Sequence, residues 1–292
     1  MRLRSIELDV EDVDAAMAFM TGVWGMAEAP TSSDGVRYLR GSGDLPYLVA
    51  LYQADAPAVR SVTFSCSTEE VAAVAARART EGAEVSAATS SDLGGGEGVY
   101  VQAPEGEVFR FLHGDGRVDP IEGRDLPVKL THVVMNAADA ERSGDFVERA
   151  LGFRVSDRTK GMVFVRCSTS HHSIAFARAG VSSLNHIAFE MEDIDAVMRG
   201  IGRLRDQGMA PAWGPGRHGP GANVFTYFIA PFGPVVEFST AVEIVADDYK
   251  VGAPEDWTWP ENRIDQWGLS NKDTAALGEA ERRFRFRPLA SA

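Results

Sequence analysis

The feature that most constrains the fold is an internal repeat. The segment LRSIELDVEDVDAAMAFMTGVWGM at 3–26 lies without a gap over LTHVVMNAADAERSGDFVERALGF at 130–153. Leu3, Asp12, Phe19 and Gly25 recur as Leu130, Asp139, Phe146 and Gly152. Further on, YVQAPEGEVFRF at 100–111 lies over YFIAPFGPVVEF at 227–238 with six identities. Between these anchors VRSVTF at 59–64 overlays LNHIAF at 184–189. A fixed period of this kind means that one structural unit is built twice, and it sets the fold before any element is named.

Each copy reads as strand, helix and several short strands, and then the same order again. Residues 130–136 alternate as a strand, placing His132, Val134 and Asn136 on one face. The stretch 139–151 follows as a helix with Gly152 at its C-terminal end. Ile194, Val197, Met198, Ile201 and Leu204 fall at helical spacing, Gly208 ends that run, and the matching early helix ends at Gly82. MVFVRC, HSIAF, VFTYFIA and PVVEFST read as antiparallel strands separated by Gly/Pro turns. The expectation is an α+β chain of two tandem modules, each a pair of βαβββ units forming a partly open, mixed or antiparallel barrel. The expected boundaries are 1–115 for a non-catalytic module, 116–129 for a linker, 130–245 for a metal-binding module and 246–292 for a C-terminal extension or lid.

At 292 residues the chain has room for two ordinary cores. Its 42 acidic against 29 basic residues give a net charge of -13, which disfavours nucleic acid and anionic membrane surfaces as partners. No stretch has the length and apolarity of a signal peptide or membrane span, so a cytoplasmic protein is expected. Cys66 and Cys167 are too few for a disulfide framework and match no zinc spacing, which suggests buried strand cysteines.

The histidines are distributed unevenly. His113 lies in the first half, whereas His132, His171, His172, His186 and His218 lie in the second. A lone histidine is usually a satisfied core or surface residue, but the repeat shows which positions are equivalent. His132 replaces Ser5, His186 replaces Ser61 and Glu237 replaces Arg110. The second copy thus holds two imidazoles and a carboxylate, which ligate a divalent cation, where the first holds two hydroxyls and a guanidinium, which cannot. Two His and one Glu from separate strands would form a facial set with open positions, suited to Fe(II), with Mn(II) the main competitor on ligand type.

These motifs resemble the vicinal oxygen chelate superfamily, also called the glyoxalase/bleomycin resistance/dioxygenase superfamily, and within it the type I extradiol ring-cleavage dioxygenases. LTHVVMNA, LNHIAFEM and PVVEFST match the three ligand-bearing strands. HHSIAF at 171–176 is similar to the segment whose second histidine, here His172, faces dioxygen. GRHGPGANVFTYF at 216–228 is similar to the segment carrying a pocket histidine and a tyrosine, here His218 and Tyr227. The stretch DDYKVGAPEDWTWPENRIDQWG is similar to the active-site cover of homoprotocatechuate-type members, and NKDTAALGEAERRFRF departs from that pattern, leaving docking on a neighbouring subunit or mobility.

The resemblance implies an oxidoreductase of aromatic catabolism that cleaves a catechol with O2 at mononuclear non-haem Fe(II), in a homo-oligomer. Metal ligation falls to His132, His186 and Glu237, acid–base work to His172, and substrate hydrogen bonding to His218 and Tyr227. His171 is assigned a supporting or structural place. Asn136, Asn185 and Asn223 are candidates to orient the ligands, and Trp213, Phe225, Trp257 and Trp259 to line the pocket. The alternatives are a glyoxalase-type metal-dependent lyase or isomerase, and a non-catalytic aromatic-ligand-binding protein.

Overall fold

The computed structural model describes residues 1–32 and 34–289. The first half runs β1 (Arg2–Val10), α1 (Val13–Phe19), β2 (Ala27–Ala29), β3 (Arg37–Arg40), β4 (Val49–Gln53), β5 (Ala58–Ser65), α2 (Thr68–Thr80), β6 (Glu84–Thr89), β7 (Glu97–Gln102) and β8 (Val108–His113). The second repeats it as β9 (Lys129–Ala137), α3 (Ala140–Phe146), β10 (Arg154–Arg158), β11 (Met162–Arg166), β12 (Ile174–Arg178), β13 (Ser183–Glu190), α4 (Ile194–Asp206), β14 (Trp213–Arg217), β15 (Val224–Ile229) and β16 (Val235–Thr240). A tail adds α5 (Thr274–Ala280) and β17 (Arg285–Phe286). Each half is therefore two βαβββ units.

The sheets are ordered β2-β3-β4-β1-β5-β8-β7-β6 and β10-β11-β12-β9-β13-β16-β15-β14, mixed in direction and open at their ends. Their registers superpose. Ser5 pairs with Thr63 and Thr63 with Arg110 in the first sheet, as His132 pairs with Ala188 and Ala188 with Glu237 in the second. The residue equivalences read from the repeat are thus equivalences in space.

Local signals explain the helices. Asp12 and Asp139 accept the backbone N–H three residues on and so cap α1 and α3, while Ser67 and Glu70 form a reciprocal capping box at the start of α2. After α1 and α3 the chain continues as one wide turn, Met20–Trp24 and Val147–Leu151. Gly25 and Gly152 then reverse it at φ 95° and 75°, a conformation that costs glycine little. In α4 the periodic positions Val197, Ile201 and Leu204 are buried, but Ile194 and Met198 are exposed, so the buried stripe is narrower than the pattern indicates. Cys66 and Cys167 each sit one residue beyond a strand and are half-buried, not strand cysteines as expected.

One apolar core runs through both halves. Trp24, fully buried, stacks on Phe238 of β16 at 3.7 Å between ring centroids, and Phe64 meets Phe153 edge-on at 5.2 Å. Polar links are reciprocal as well. Arg203 of α4 donates to the carbonyls of Val23 and Trp24, and Arg77 of α2 donates to that of Leu151, so each half supplies a guanidinium to the carbonyl end of the other's first helix. The tail, instead of staying mobile, folds back over its own chain. Its helix packs Leu277 and Ala280 against Trp213 and Tyr227, and β17 pairs with β5 in the first sheet. Among the described residues no helix is long and apolar enough to cross a membrane.

Candidate metal centre

His132 on β9, His186 on β13 and Glu237 on β16 come from three adjacent strands, and all three are buried. Glu237 Oε2 lies 3.2 Å from His132 Nε2 and 3.1 Å from His186 Nε2, and the two imidazole nitrogens are 3.4 Å apart. Metal–ligand bonds of about 2.1 Å at right angles place neighbouring donor atoms about 3 Å apart, so the triangle has the size of one face of an octahedron.

The polar surroundings decide which atoms face that point. Asn185 Oδ1 accepts from His186 Nδ1 at 2.7 Å, and Asn185 Nδ2 donates to Asn136 Oδ1 at 2.8 Å, which fixes the amide's orientation. His186 therefore carries its proton on Nδ1 and aims the Nε2 lone pair at Glu237. Asn223 Nδ2 donates to Glu237 Oε1 at 3.2 Å and to Ser239 at 2.9 Å, leaving Oε2 to the histidines. A lone pair facing a carboxylate oxygen across 3.1 Å calls for a cation between them. Burial would raise the Glu237 carboxyl, yet the His132 and His186 imidazoles hold it well below its usual range. Burial lowers His186 against the pull of Glu237. The three residues thus fit a divalent ion.

The equivalent place in the first half is filled by protein. Arg110 pairs with Glu7 at 3.0 Å and with Asp92 at 2.6 Å, and donates to Thr63 and Tyr47 at 2.9 Å each. All of these side chains are buried. A guanidinium held by two carboxylates stands where the second half gathers its donors.

A cavity of about 280 Å³ opens beside the centre. The His172 ring lies 4.3 Å from that of His132, and the Tyr227 ring lies 4.8 Å from that of His186. His218 Nε2 and Tyr227 Oη are 2.9 Å apart. Burial, with the neighbouring His132 and His171, pushes His172 well below the ordinary histidine value. Burial likewise takes His218 down to about 3, and burial and Glu237 raise the Tyr227 hydroxyl. Three expected aromatics, Trp213, Trp257 and Trp259, line the cavity, whereas Phe225 sits behind it, stacked on His218 at 3.9 Å. Met162, Phe164, Ile264 and Leu277 complete the apolar wall, and Lys272 and Glu281 reach it from the tail. None of these last six was singled out from the sequence: Met162 and Phe164 read only as ordinary apolar positions of β11, and the other four belong to a tail with no second copy to be compared with.

The glyoxalase/bleomycin resistance protein/dioxygenase family model matches residues 129–238. A Mn(II)-bound glyoxalase from Novosphingobium aromaticivorans is 30% identical and superposes with a TM-score of 0.84 over 94% of this chain and 93% of its own. The chain belongs to the glyoxalase/bleomycin resistance protein/dioxygenase superfamily. Other proteins similar in sequence or fold are named as dioxygenases or a metapyrocatechase. Metapyrocatechase 2 of Cupriavidus necator is 24% identical, with 89% of this chain and 87% of the relative covered. The 2,2',3-trihydroxybiphenyl dioxygenase of Sphingomonas paucimobilis is 26% identical, with 44% and 48% covered. Homoprotocatechuate 2,3-dioxygenase from Arthrobacter globiformis shares the fold at a TM-score of 0.87 and 21% identity, with 98% and 92% covered.

Proposed function

We propose that the chain is an extradiol dioxygenase that cleaves a catechol-type ring with O2 at a single Fe(II) held by His132, His186 and Glu237. The observation that carries this reading is the gathering of all three donors in one module, with His172 beside His132, Tyr227 and His218 beside His186, and Arg110 occupying the counterpart position. When bound, the ion held by His132, His186 and Glu237 would supply Lewis-acid activation of the reactants and a path for electron density between them.

The protein's own groups do the rest. Tyr227, kept protonated by its surroundings, donates a hydrogen bond to a substrate oxygen on the His186 side, and His218 fixes the direction of that hydroxyl. His172, kept neutral on the His132 side, accepts a proton from the reactants and returns it as the ring opens. Trp213, Trp257, Trp259 and Phe164 give an aromatic substrate flat apolar walls and exclude water. Mn(II) suits the same donors.

Anaerobic reconstitution with Fe(II), followed by oxygen uptake and appearance of a coloured ring-opened product over a panel of catechols, tests the proposal. Activity that Glu237→Gln abolishes supports it. The Mn(II)-bound glyoxalase relative favours a second reading, a metal-dependent lyase or isomerase. Glyoxalase turnover with Mn(II), Ni(II) or Zn(II), and no oxygen uptake with any catechol, establishes that reading instead.

A further inference from the structure

Behind His172 lies a fully buried polar chain. Asp157 on β10 accepts the backbone N–H of Gly252 at Oδ1, 2.7 Å away, and faces His171 Nε2 with Oδ2, also at 2.7 Å. His171 Nδ1 in turn faces His172 Nδ1 at 3.0 Å. His171 and His172 precede β12 and do not alternate along a strand, which lets both imidazoles turn inward and meet nitrogen to nitrogen. Asp157 and His171 are without exposure. Two glycines admit the arrangement. A Cβ on Gly252 would come within 2.5 Å of Asp157 Oδ1, and one on Gly221, whose φ is +75°, within 3.0 Å of His171 Nδ1 and 3.1 Å of His172.

The donors and acceptors can be followed link by link. An ionised carboxylate only accepts, so His171 Nε2 carries a hydrogen. Taken as a neutral imidazole, His171 has only that one hydrogen, and it is committed to Asp157. Its Nδ1 is then an acceptor, and the hydrogen between the two rings belongs to His172 Nδ1.

We propose that Asp157 and His171 are positioning residues that fix the tautomer of His172, so that His172 presents a bare Nε2 lone pair to the cavity. The proposal deepens the reading of His172 as the residue that first accepts a proton. It also identifies what Asp157→Asn does. The Gly252 N–H demands an acceptor, so the asparagine oxygen takes the Oδ1 place and its NH2 faces His171 Nε2. Every link then reverses, and His172 carries its hydrogen on Nε2, towards the cavity. A serine-protease aspartate replaced by asparagine, where the geometry survives with the wrong histidine tautomer, loses about 10⁴-fold in kcat.

Long-range ¹H–¹⁵N spectra of metal-free protein labelled at histidine nitrogens test this, with His172 assigned by its absence in His172→Gln. Wild type is expected to show His172 protonated at Nδ1 and bare at Nε2, and Asp157→Asn the reverse. In Fe(II)-loaded Asp157→Asn, kcat should fall about 10²- to 10⁴-fold with KM changed by no more than about threefold. Wild-type spectra with Nε2 of His172 protonated, or with His171 as an imidazolium, overturn the proposal whether or not the variant folds. The spectra need no substrate, so the tautomer assignment stands or falls apart from the ring-cleavage reading.

Discussion

Asn185→Leu isolates what the surroundings of the centre contribute to metal affinity. The substitution keeps the branched heavy-atom skeleton, although with bulkier methyl groups, and removes the acceptor that lies 2.7 Å from His186 Nδ1. His186 is then free to rotate, or to move its proton to Nε2 and bond Glu237 Oε2 across the existing 3.1 Å. Either state must be undone before an ion can enter. Losing such an outer partner costs about 10- to 100-fold in metal affinity, or about 1.4–2.7 kcal/mol. The fold loses one or two hydrogen bonds of about 1 kcal/mol each, so Tm of the metal-free protein should fall by only a few degrees, roughly 2–6 °C. Calorimetric titration of anaerobic metal-free protein with Fe(II) and Mn(II) measures the first quantity, and thermal unfolding the second. A dissociation constant that stays within about threefold of wild type would refute the claim that Asn185 sets the imidazole's donor atom. So would an affinity loss fully explained by a collapsed Tm.

Four further outcomes follow from the same geometry. Arg110→Met leaves Glu7 and Asp92 buried without their cation, at about 3–5 kcal/mol, so Tm should drop by about 10 °C while calorimetry still counts one ion per chain. Trp24→Ala removes about 200 Å² of buried aromatic surface, worth about 5 kcal/mol, and should lower Tm by at least about 10 °C; a loss of only a degree or two means that the modules do not share a core. His172, His186 and His218 are held neutral below 6.5, where the unfolded chain takes up protons, so acidification from 6.5 downwards should destabilise the metal-free protein by about 1.4 kcal/mol per pH unit per histidine, measured as denaturation midpoints. Glu107 behaves oppositely. Burial raises it to about 7, so the folded state keeps a proton that the unfolded chain releases from 4.5 upwards, and stability is lost as pH rises through that window; Glu107→Gln should recover on the order of 3 kcal/mol at pH 8 and little at pH 4.5.

The parts legible in the sequence are those that exist twice. Ser5 and His132, Ser61 and His186, and Arg110 and Glu237 could be compared because both copies fold to one register, and the coincidence of three exchanges marked the centre. Tyr227 and His218 came with the segment that joins β14 and β15. Other contributors carry no such signal. Asp157 has its partners fourteen residues away at His171 and, in the tail, at Gly252, so neither alternation nor helical spacing connects them. Lys272, Glu281 and Leu277 belong to a stretch without a counterpart, and only its fold over the cavity shows their place. Glu7 was hidden for another reason. An acidic residue on a strand reads as solvent-facing until a buried guanidinium is found opposite it.

The pairing of β17 with β5 bears on how the centre is closed. The tail that brings Lys272, Leu277 and Glu281 to the cavity wall is anchored through β17 on β5, a strand of the other sheet. Both eight-strand paths are complete without the tail, so the sheets can be formed while the centre is uncovered. An ion then has its widest path to His132, His186 and Glu237 while the tail is undocked, and docking of the tail turns an accessible set of donors into a sheltered one.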